Sequence, residues 1–273
     1  MKKRLGLYLL AAILLAFALL PIVWMLFTSL KTRTEVFGAP GRLLPTVWTL
    51  SAYRDVLKTT PFLTYFSNSV IVNVAASLIT VVLATLAGYS FSRFRIRGKS
   101  AIMLAILAMQ MFPSTVLLIA LYVAFRNLGL LNTYTALILS YITHGLPFSI
   151  WMMRGFTDAV PVDVEEAAMI DGCRRATALL RVVVPMMLPG MVAVALFAFL
   201  SGWNDLVWAL TLTTSPGMRL IPPGFVLTYV GQFETYWNQL MAGSVMVSLP
   251  TILVFTFLQR YLVQGLTAGA VKG

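Results

Sequence analysis

Residues 161–189 read PVDVEEAAMIDGCRRATALLRVVVPMMLP, and this stretch decides how the rest of the chain is arranged. It carries charged residues and is able to form helices, yet it lies between two segments that are apolar enough to cross a bilayer. The stretch must therefore face water while its neighbours face lipid. The sequence predicts a structured loop on one side of a membrane.

The composition of the whole chain is typical of a protein that crosses a membrane several times. Hydrophobic residues make up 59% of the 273 residues, charged residues make up 11%, and the mean hydropathy is +0.88. A soluble domain contains roughly a quarter charged residues. We therefore expect an all-α membrane protein without a large soluble domain. Its one cysteine, Cys173, excludes an internal disulfide.

Six apolar stretches are long enough to cross about 30 Å of hydrocarbon, which takes roughly 20 helical residues. We expect six transmembrane helices at residues 5–30, 67–91, 101–125, 132–153, 189–212 and 242–262. The first apolar run is longer than the apolar core of a signal peptide and has no cleavage-site pattern after it. We expect it to be retained as the first span.

Lysine and arginine are distributed unevenly between the predicted loops. With the N-terminus in the cytoplasm, thirteen of the 20 Lys and Arg residues lie on the cytoplasmic side and seven on the other. The positive-inside rule then predicts that both termini, and the loop at residues 158–189, are cytoplasmic. The net charge of +11 is explained by this topology and by contact with membrane lipids, so we expect no nucleic-acid binding.

Local signals predict a short helix that starts the loop and ends at a glycine. Asp163, with Glu166 three residues later, resembles a capping box with Asp163 as the cap. Glu165 and Glu166 then lie in the first turn, where negative charge suits the helix dipole. Gly172 suits the end of this helix, where a left-handed conformation is often required.

A second short helix is expected to follow the glycine. It is predicted to run from about Arg174 to Val184 and to be broken by Pro185 and Pro189. The two helices would form a rigid projection, and Ala167-Ala168 would keep one side of it thin enough for another protein to approach closely. Such a projection is typical of helix-in-groove recognition.

This loop resembles the EAA loop of bacterial ABC importer permeases. The resemblance rests on the spacing of Glu166-Ala167-Ala168, Gly172, Val182, Val184 and Pro185. The chain as a whole is similar to MalG-type permeases of carbohydrate importers, also in Trp203-Asn204-Asp205 and in the tail at residues 265–273. The resemblance implies the six-helix type I importer fold, with no catalytic residue and no cofactor in this chain.

The resemblance also implies which residues contact partners. The loop would dock on an ABC ATPase subunit through Glu165, Glu166, Ala167, Ala168, Asp171, Gly172 and Pro185. The tail would insert between two ATPase subunits through Gly269, Val271, Lys272 and Gly273, and we expect no helix beyond about Leu266. The other implied partners are a longer, MalF-like permease and an extracytoplasmic sugar-binding protein.

Trp203, Asn204 and Asp205 form the most polar group within a predicted span. A carboxylate in hydrocarbon costs several kcal/mol unless it is paired or wet, so Asp205 should face a cavity or a partner. Asn and Asp side chains can bind sugar hydroxyls. Contact with a sugar and a structural role, as a cap on a partner helix or an outer gate, both remain open.

The remaining polar residues offer little chemistry. His144 is the only histidine, so we expect no metal site and interpret it as a packed intramembrane residue. Pro113 and Pro147 are expected to kink the third and fourth spans. Gly98-Lys99-Ser100 lacks the earlier glycine of a nucleotide-binding loop, so we expect ATP to be hydrolysed by a separate subunit.

The function expected from these features is ATP-driven import of a sugar, such as maltose or trehalose, across the bacterial inner membrane. An ABC importer of a non-sugar solute is one alternative. A secondary transporter driven by an ion gradient is another, although such proteins usually show paired intramembrane charges. We expect the chain itself not to be an enzyme.

Overall fold

The structure is a computed structural model that describes residues 2–231 and 234–270, with side chains for residues 6–231 and 234–259. The described residues are mainly helical, as the composition predicts. The α-helices in chain order are α1 (Lys2–Ser29), α2 (Arg33–Gly38), α3 (Ser51–Thr59), α4 (Phe62–Arg93), α5 (Lys99–Ala108), α6 (Ser114–Asn127), α7 (Tyr134–Asp158), α8 (Val162–Ile170), α9 (Arg175–Ala178), α10 (Val184–Trp203), α11 (Val207–Leu212), α12 (Ile221–Tyr229) and α13 (Trp237–Ala270).

Five helices in the described part of the chain are long and apolar enough to cross a membrane, and a bent pair brings the number to six. The predicted spans at residues 5–30, 67–91, 132–153 and 242–262 overlap α1, α4, α7 and α13. The third and fifth spans differ from the prediction.

The third span is broken in its middle. A 3₁₀ turn at Met109–Met111 follows α5, and Pro113 precedes α6. The segments Lys99–Met111 and Ser114–Asn127 are bent by 93° at this point. Pro113 has no backbone N–H and disfavours helical geometry in the residue before it, which explains why the helix stops there. The predicted kink is therefore a complete break.

The fifth span lies earlier in the chain than predicted. A continuous helical run extends from Arg175 to Trp203, so Pro185 and Pro189 do not end a helix as expected. A π-helical turn at Leu179–Val183 precedes α10. A proline ring clashes with the backbone carbonyl four residues earlier, which for Pro185 is the carbonyl of Arg181. Arg181 lies in the wider π-helical turn, so the helix continues past Pro185. The run ends at Trp203, and the predicted last part, up to residue 212, is the separate helix α11.

The C-terminal helix also extends further than predicted. Helix α13 reaches Ala270, although we expected the helix to end at about Leu266. Each glycine in a helix costs about 1 kcal/mol relative to alanine. Extending an existing helix needs no new nucleation, so Gly265 and Gly269 do not stop it.

The chain divides into two compact units. The first contains the residues before Ser67 together with Pro223–Ile252. Every side chain described between Gly6 and Ile22 of α1 is exposed. The α12 ring of Phe225 stacks on Phe62, and Arg33 of α2 forms an ion pair with Glu234.

The second unit contains Ser67–Pro222 and the residues from Leu253 onward. Its helices α4 and α7 approach closely at Gly88, where a Cβ atom would lie 2.7 Å from the backbone nitrogen of Arg154. Asn68, near the start of this unit, donates hydrogen bonds to the backbone carbonyls of Gly217 and Arg219. This unit carries the loop between α7 and α10.

Candidate functional site

The loop between α7 and α10 contains the two predicted helical segments joined at a glycine. Helix α8 ends in a Schellman motif, in which Cys173 N–H donates to the carbonyl of Ala168 (3.0 Å) and Gly172 N–H to that of Met169 (3.1 Å). The φ angle of Gly172 is +92°, in the left-handed region. The prediction of a left-handed glycine at this helix end is confirmed.

The start of α8 differs from the prediction. Pro161 occupies the position before the helix, and Asp163 lies inside the first turn rather than capping it. Because Asp163 is already helical, its side chain is not placed to receive the first free N–H groups as a cap would be. The predicted capping box is therefore wrong, although Asp163 and Glu165 still place negative charge where the helix dipole favours it.

Glu165 is buried against other helices of its own chain, with 2% of the residue exposed. Its Oε2 atom accepts a hydrogen bond from Arg93 Nε of α4 at 2.9 Å, in an ion pair that is buried on both sides. Its Oε1 atom accepts a hydrogen bond from the Tyr89 hydroxyl. The guanidinium of Arg175 lies 4.0 Å from the same oxygen.

Arg93 links this carboxylate to the end of α7. Its Nη2 atom donates to the carbonyl of Val160 at 2.7 Å, and its Nη1 atom to the Ser92 hydroxyl at 3.1 Å. The Ser92 hydroxyl in turn donates to Asp158 at 2.5 Å. Helix α8 is thus attached to the ends of α4 and α7 by charge-assisted hydrogen bonds, which are stronger than neutral ones.

The predicted partner-contacting residues therefore have two different surroundings. Glu165 faces inward, so its carboxylate is not available to a partner surface and instead positions α8. All six of the others are at least partly exposed: Glu166, Ala167, Ala168, Asp171 and Gly172 on α8 or just after it, and Pro185 at the start of α10.

Two residues important to this loop were not identified from the sequence. Ile170, at the end of α8, is 86% exposed, and a large apolar side chain on a water-facing loop is typical of a protein contact. Arg93 was counted only as one of the charges that set the topology. Nothing local in the sequence reveals its pairing, because Glu165 lies far along the chain.

The three residues of the second predicted site, at the end of α10, have different surroundings. Trp203 is buried, and its ring stacks on Phe199. Asp205 accepts hydrogen bonds from the backbone N–H of Ala209 (2.9 Å) and from the hydroxyl of Tyr141 (3.0 Å). Asp205 therefore caps α11 of its own chain.

Asn204, between them, is exposed and lines a cavity of about 400 Å³. The same cavity is lined by Ser114, His144 and Trp208. Of the three predicted residues, Asn204 is the one with an exposed side chain at this cavity.

The tail is only partly within the described residues. Gly269 lies in α13, whereas Val271, Lys272 and Gly273 lie outside the described residues. Their predicted contact with ATPase subunits stays a prediction.

Comparison with known proteins identifies the family. Residues 80–268 match the model of the binding-protein-dependent transport system inner membrane component family. This match includes α7, the loop with α8 and Gly172, and α10. The chain belongs to this family.

Curated transport permeases are similar to this chain over nearly its whole length. A sulfoquinovosyl glycerol transport system permease of Agrobacterium fabrum is 37% identical over 96% of this chain and 92% of its own length. A trehalose/maltose transport system permease of Thermococcus litoralis is 34% identical over 99% of this chain and 98% of its own length.

A solved structure of the same fold supports the membership. One chain of a bacterial ABC transporter that imports the acidic polysaccharide alginate superposes with a TM-score of 0.79 and is 25% identical. The superposition covers 95% of this chain and 96% of that chain. The fold is that of an ABC importer permease, as the resemblance implied.

Proposed function

We propose that this chain is a permease subunit of an ATP-driven importer of sugars. The observation that carries the proposal is the loop with α8 and Gly172, which presents exposed residues at its end and is fixed at its base. Family membership and the sugar substrates in the names of the relatives support it.

In this proposal ATP is hydrolysed by two separate ABC ATPase subunits that dock on the loop at residues 158–189. Glu166 and Asp171 provide exposed negative charge, and Ile170 provides an apolar anchor of the kind that dominates interface energies. Movement of the ATPase subunits is passed to α4 and α7 through Arg93 and Glu165. The tail from residue 265 onward contributes a second contact between the ATPase subunits.

The remaining partners follow from the same assignment. A longer, MalF-like permease completes the translocation path, and an extracytoplasmic sugar-binding protein delivers the sugar. The chain is a multi-pass protein of the bacterial inner membrane with both termini in the cytoplasm. The helices alternate between outward- and inward-facing arrangements as rigid groups. Family membership disfavours a transporter driven by an ion gradient.

The proposal is tested by isolating the tagged chain from native membranes and measuring the ATPase that comes with it. We compare wild type with Glu166→Lys and Gly172→Asp, and use Asp55→Lys on α3 as a charge-reversal control outside the loop. Wild type and the control should recover an ATPase subunit, and both loop variants should lose it. Recovery of no ATPase by crosslinked wild type would refute the proposal.

A further inference from the structure

The break in the third span opens space beside His144, the only histidine of the chain. Three cavities of about 400, 520 and 250 Å³ each have His144 in their lining. They lie where the 93° bend at Met109–Pro113 moves α6 away from the line of α5. His144 is half-buried, and Gln110 from the bend donates a hydrogen bond to its backbone carbonyl at 3.0 Å.

Polar side chains from three elements converge on this space. Ser114 and Thr115 begin α6, His144 lies on α7, and Ser201 and Asn204 lie at the end of α10. The ring of Trp208 lies beside the imidazole, with 5.8 Å between the ring centroids. In a chain with so few polar residues in its apolar helices, this convergence matches the usual build of a ligand pocket, in which aromatic surface is combined with a few polar groups.

The charge of this space is low. Asp205 is its one carboxylate among the described lining residues, and both of its oxygens already receive hydrogen bonds, from Tyr141 and from the backbone of α11. None of the described residues that line the three cavities is a lysine or an arginine. An anionic ligand would have no cation to pair with there.

The hydrogen-bonding groups of the lining also favour neutral sugars over acidic ones. Hydroxyl, amide and neutral imidazole groups each offer both a donor and an acceptor. A saccharide hydroxyl likewise donates and accepts, so such groups can satisfy it in either orientation. Carboxylated or sulfonated sugars are instead recognised by arginine or lysine, through charge-assisted hydrogen bonds.

We propose that the lining of the cavity around His144 and Trp208 contacts the transported saccharide, so that this subunit itself contributes to the sugar site. We further propose that this site accepts uncharged sugars. The inference rests on the proposed function and narrows it to a substrate class and a site. It differs in part from the sequence interpretation, in which His144 was packed and Trp203, Asn204 and Asp205 were the candidates for contact; of these, Asn204 is retained. Here His144, Ser114 and Asn204 contact the sugar, while Asp205 and the buried ring of Trp208 hold the lining in place.

The first test measures whether the cavity is accessible to solvent and whether sugar occupies it. In a Cys173→Ser background we introduce His144→Cys or Ser114→Cys, with Ser140→Cys and Ser149→Cys as controls on fully buried positions of α7. The complex with the second permease, the ATPase subunits and the binding protein is reconstituted, and modification by a sulfonated methanethiosulfonate is followed. The probes are maltose and trehalose, compared with sulfoquinovosyl glycerol and an alginate oligosaccharide.

We expect the two cavity thiols to react and the two buried controls to stay unmodified. Maltose or trehalose should slow the reaction about fivefold or more, because a pocket of this kind covers most of a ligand's surface. Unreactive cavity thiols, no protection by either neutral sugar, or protection by the acidic sugars alone would each overturn the inference. Absence of a co-purifying ATPase would instead count against the proposed function.

The second test separates sugar contact from folding. His144→Gln keeps a donor and an acceptor, whereas His144→Leu keeps neither. We expect His144→Leu to raise the KM for uptake of the protecting sugar by roughly five- to tenfold, as loss of a hydrogen bond implies. His144→Gln should raise the KM clearly less than His144→Leu does, and Trp151→Phe, a control on exposed α7 surface, should stay near wild type. Equal uptake by His144→Leu and wild type would overturn the inference.

Discussion

Glu165 and Glu166 are neighbours in the chain, but their carboxylates have opposite surroundings. Successive residues of a helix point about 100° apart, so one side chain can be buried while the next is exposed. Glu165 pairs with Arg93 inside the permease, and Glu166 faces water at the outer side of α8. At the scale of single residues, one carboxylate therefore anchors the loop and the other is free for a partner.

Gly172 is the residue whose backbone conformation the loop depends on most. We expect Gly172→Ala to loosen the end of α8, because a left-handed conformation costs an L-residue about 1–2 kcal/mol. Hydrogen–deuterium exchange of peptides covering 162–178 should then be faster than in wild type. Gly155→Ala, on α7 with nothing near its added Cβ, is the control. Unchanged exchange in Gly172→Ala would contradict this account.

The contact between Glu35 and Thr46, which lies outside the membrane spans, should depend on pH. Hydrogen bonds from the Thr46 hydroxyl and backbone N–H, both 2.6 Å long, lower the pKa of its carboxyl group. The stabilisation is therefore present above the unfolded-state pKa and is lost as pH falls through the lower folded-state pKa. Thr46→Val should raise the pKa towards its usual value, as measured by titrating the ¹³C shift of the Glu carboxyl carbons. Thr211→Val should leave the pKa of Glu35 unchanged. An unchanged Glu35 pKa in Thr46→Val would show that the Thr46 hydroxyl does not lower it.

At the scale of elements, the base of the loop is a junction of three helices. Arg93 ends α4, Val160 follows α7, and Glu165 lies in the first half of α8. A buried ion pair is weak evidence for stability, but removal of one partner leaves a buried charge without compensation. The pair thus holds α8 in one position relative to α4.

A double-mutant cycle tests this junction. Arg93→Met and Glu165→Gln should each lower the free energy of unfolding by about 3–5 kcal/mol, and the double variant by clearly less than the sum. Thermal or denaturant unfolding in detergent gives the measurement. Arg95→Met, at an exposed position two residues away, should have little effect. Additive single effects would mean that the two side chains are not coupled.

The contact of α4 with α7 depends on the missing side chain of Gly88. An added Cβ would lie 2.7 Å from Arg154 N and 2.8 Å from the carbonyl carbon of Met153, both backbone atoms that cannot rotate away. We expect Gly88→Ala to destabilise the protein by about 1–3 kcal/mol, the usual cost of overpacking. The melting temperature in detergent should fall, while Gly145→Ala, with open space at its Cβ, should leave it near wild type. Equal melting temperatures would rule out this close contact.

At the scale of the whole molecule, the number of spans fixes the relation between the termini. We predict that the five single helices and the one bent pair among the described residues make six crossings, which would place both termini on the same side. The lysine and arginine distribution predicts that this side is the cytoplasm.

Reporter fusions test this arrangement. Green fluorescent protein at the C-terminus should fluoresce, and alkaline phosphatase at the same position should be inactive. Alkaline phosphatase inserted after residue 214, between α11 and α12, should be active. An active phosphatase at the C-terminus would mean that the bent pair enters and leaves the membrane on one side.

Local patterns in the sequence were sufficient for part of the fold and of the loop. Apolar stretches of membrane length predict helices wherever they occur, because unpaired backbone groups are too costly in lipid. Gly172 could be predicted because the end of α8 needs a conformation that glycine adopts easily. Pro113 could be predicted to disturb its helix, but not to turn it by 93°.

Only the tertiary structure decided which polar groups meet. The sequence places Glu165 and Glu166 side by side, and the contact with Arg93 determines which of them is buried. It places Asp205 within a predicted span, and Tyr141 and the start of α11 occupy its oxygens. It shows His144 as one isolated histidine, and the bend beside it exposes that side chain to a cavity. Spans and helix ends depend on neighbours in the chain, whereas pairing and cavities depend on residues brought together from distant segments.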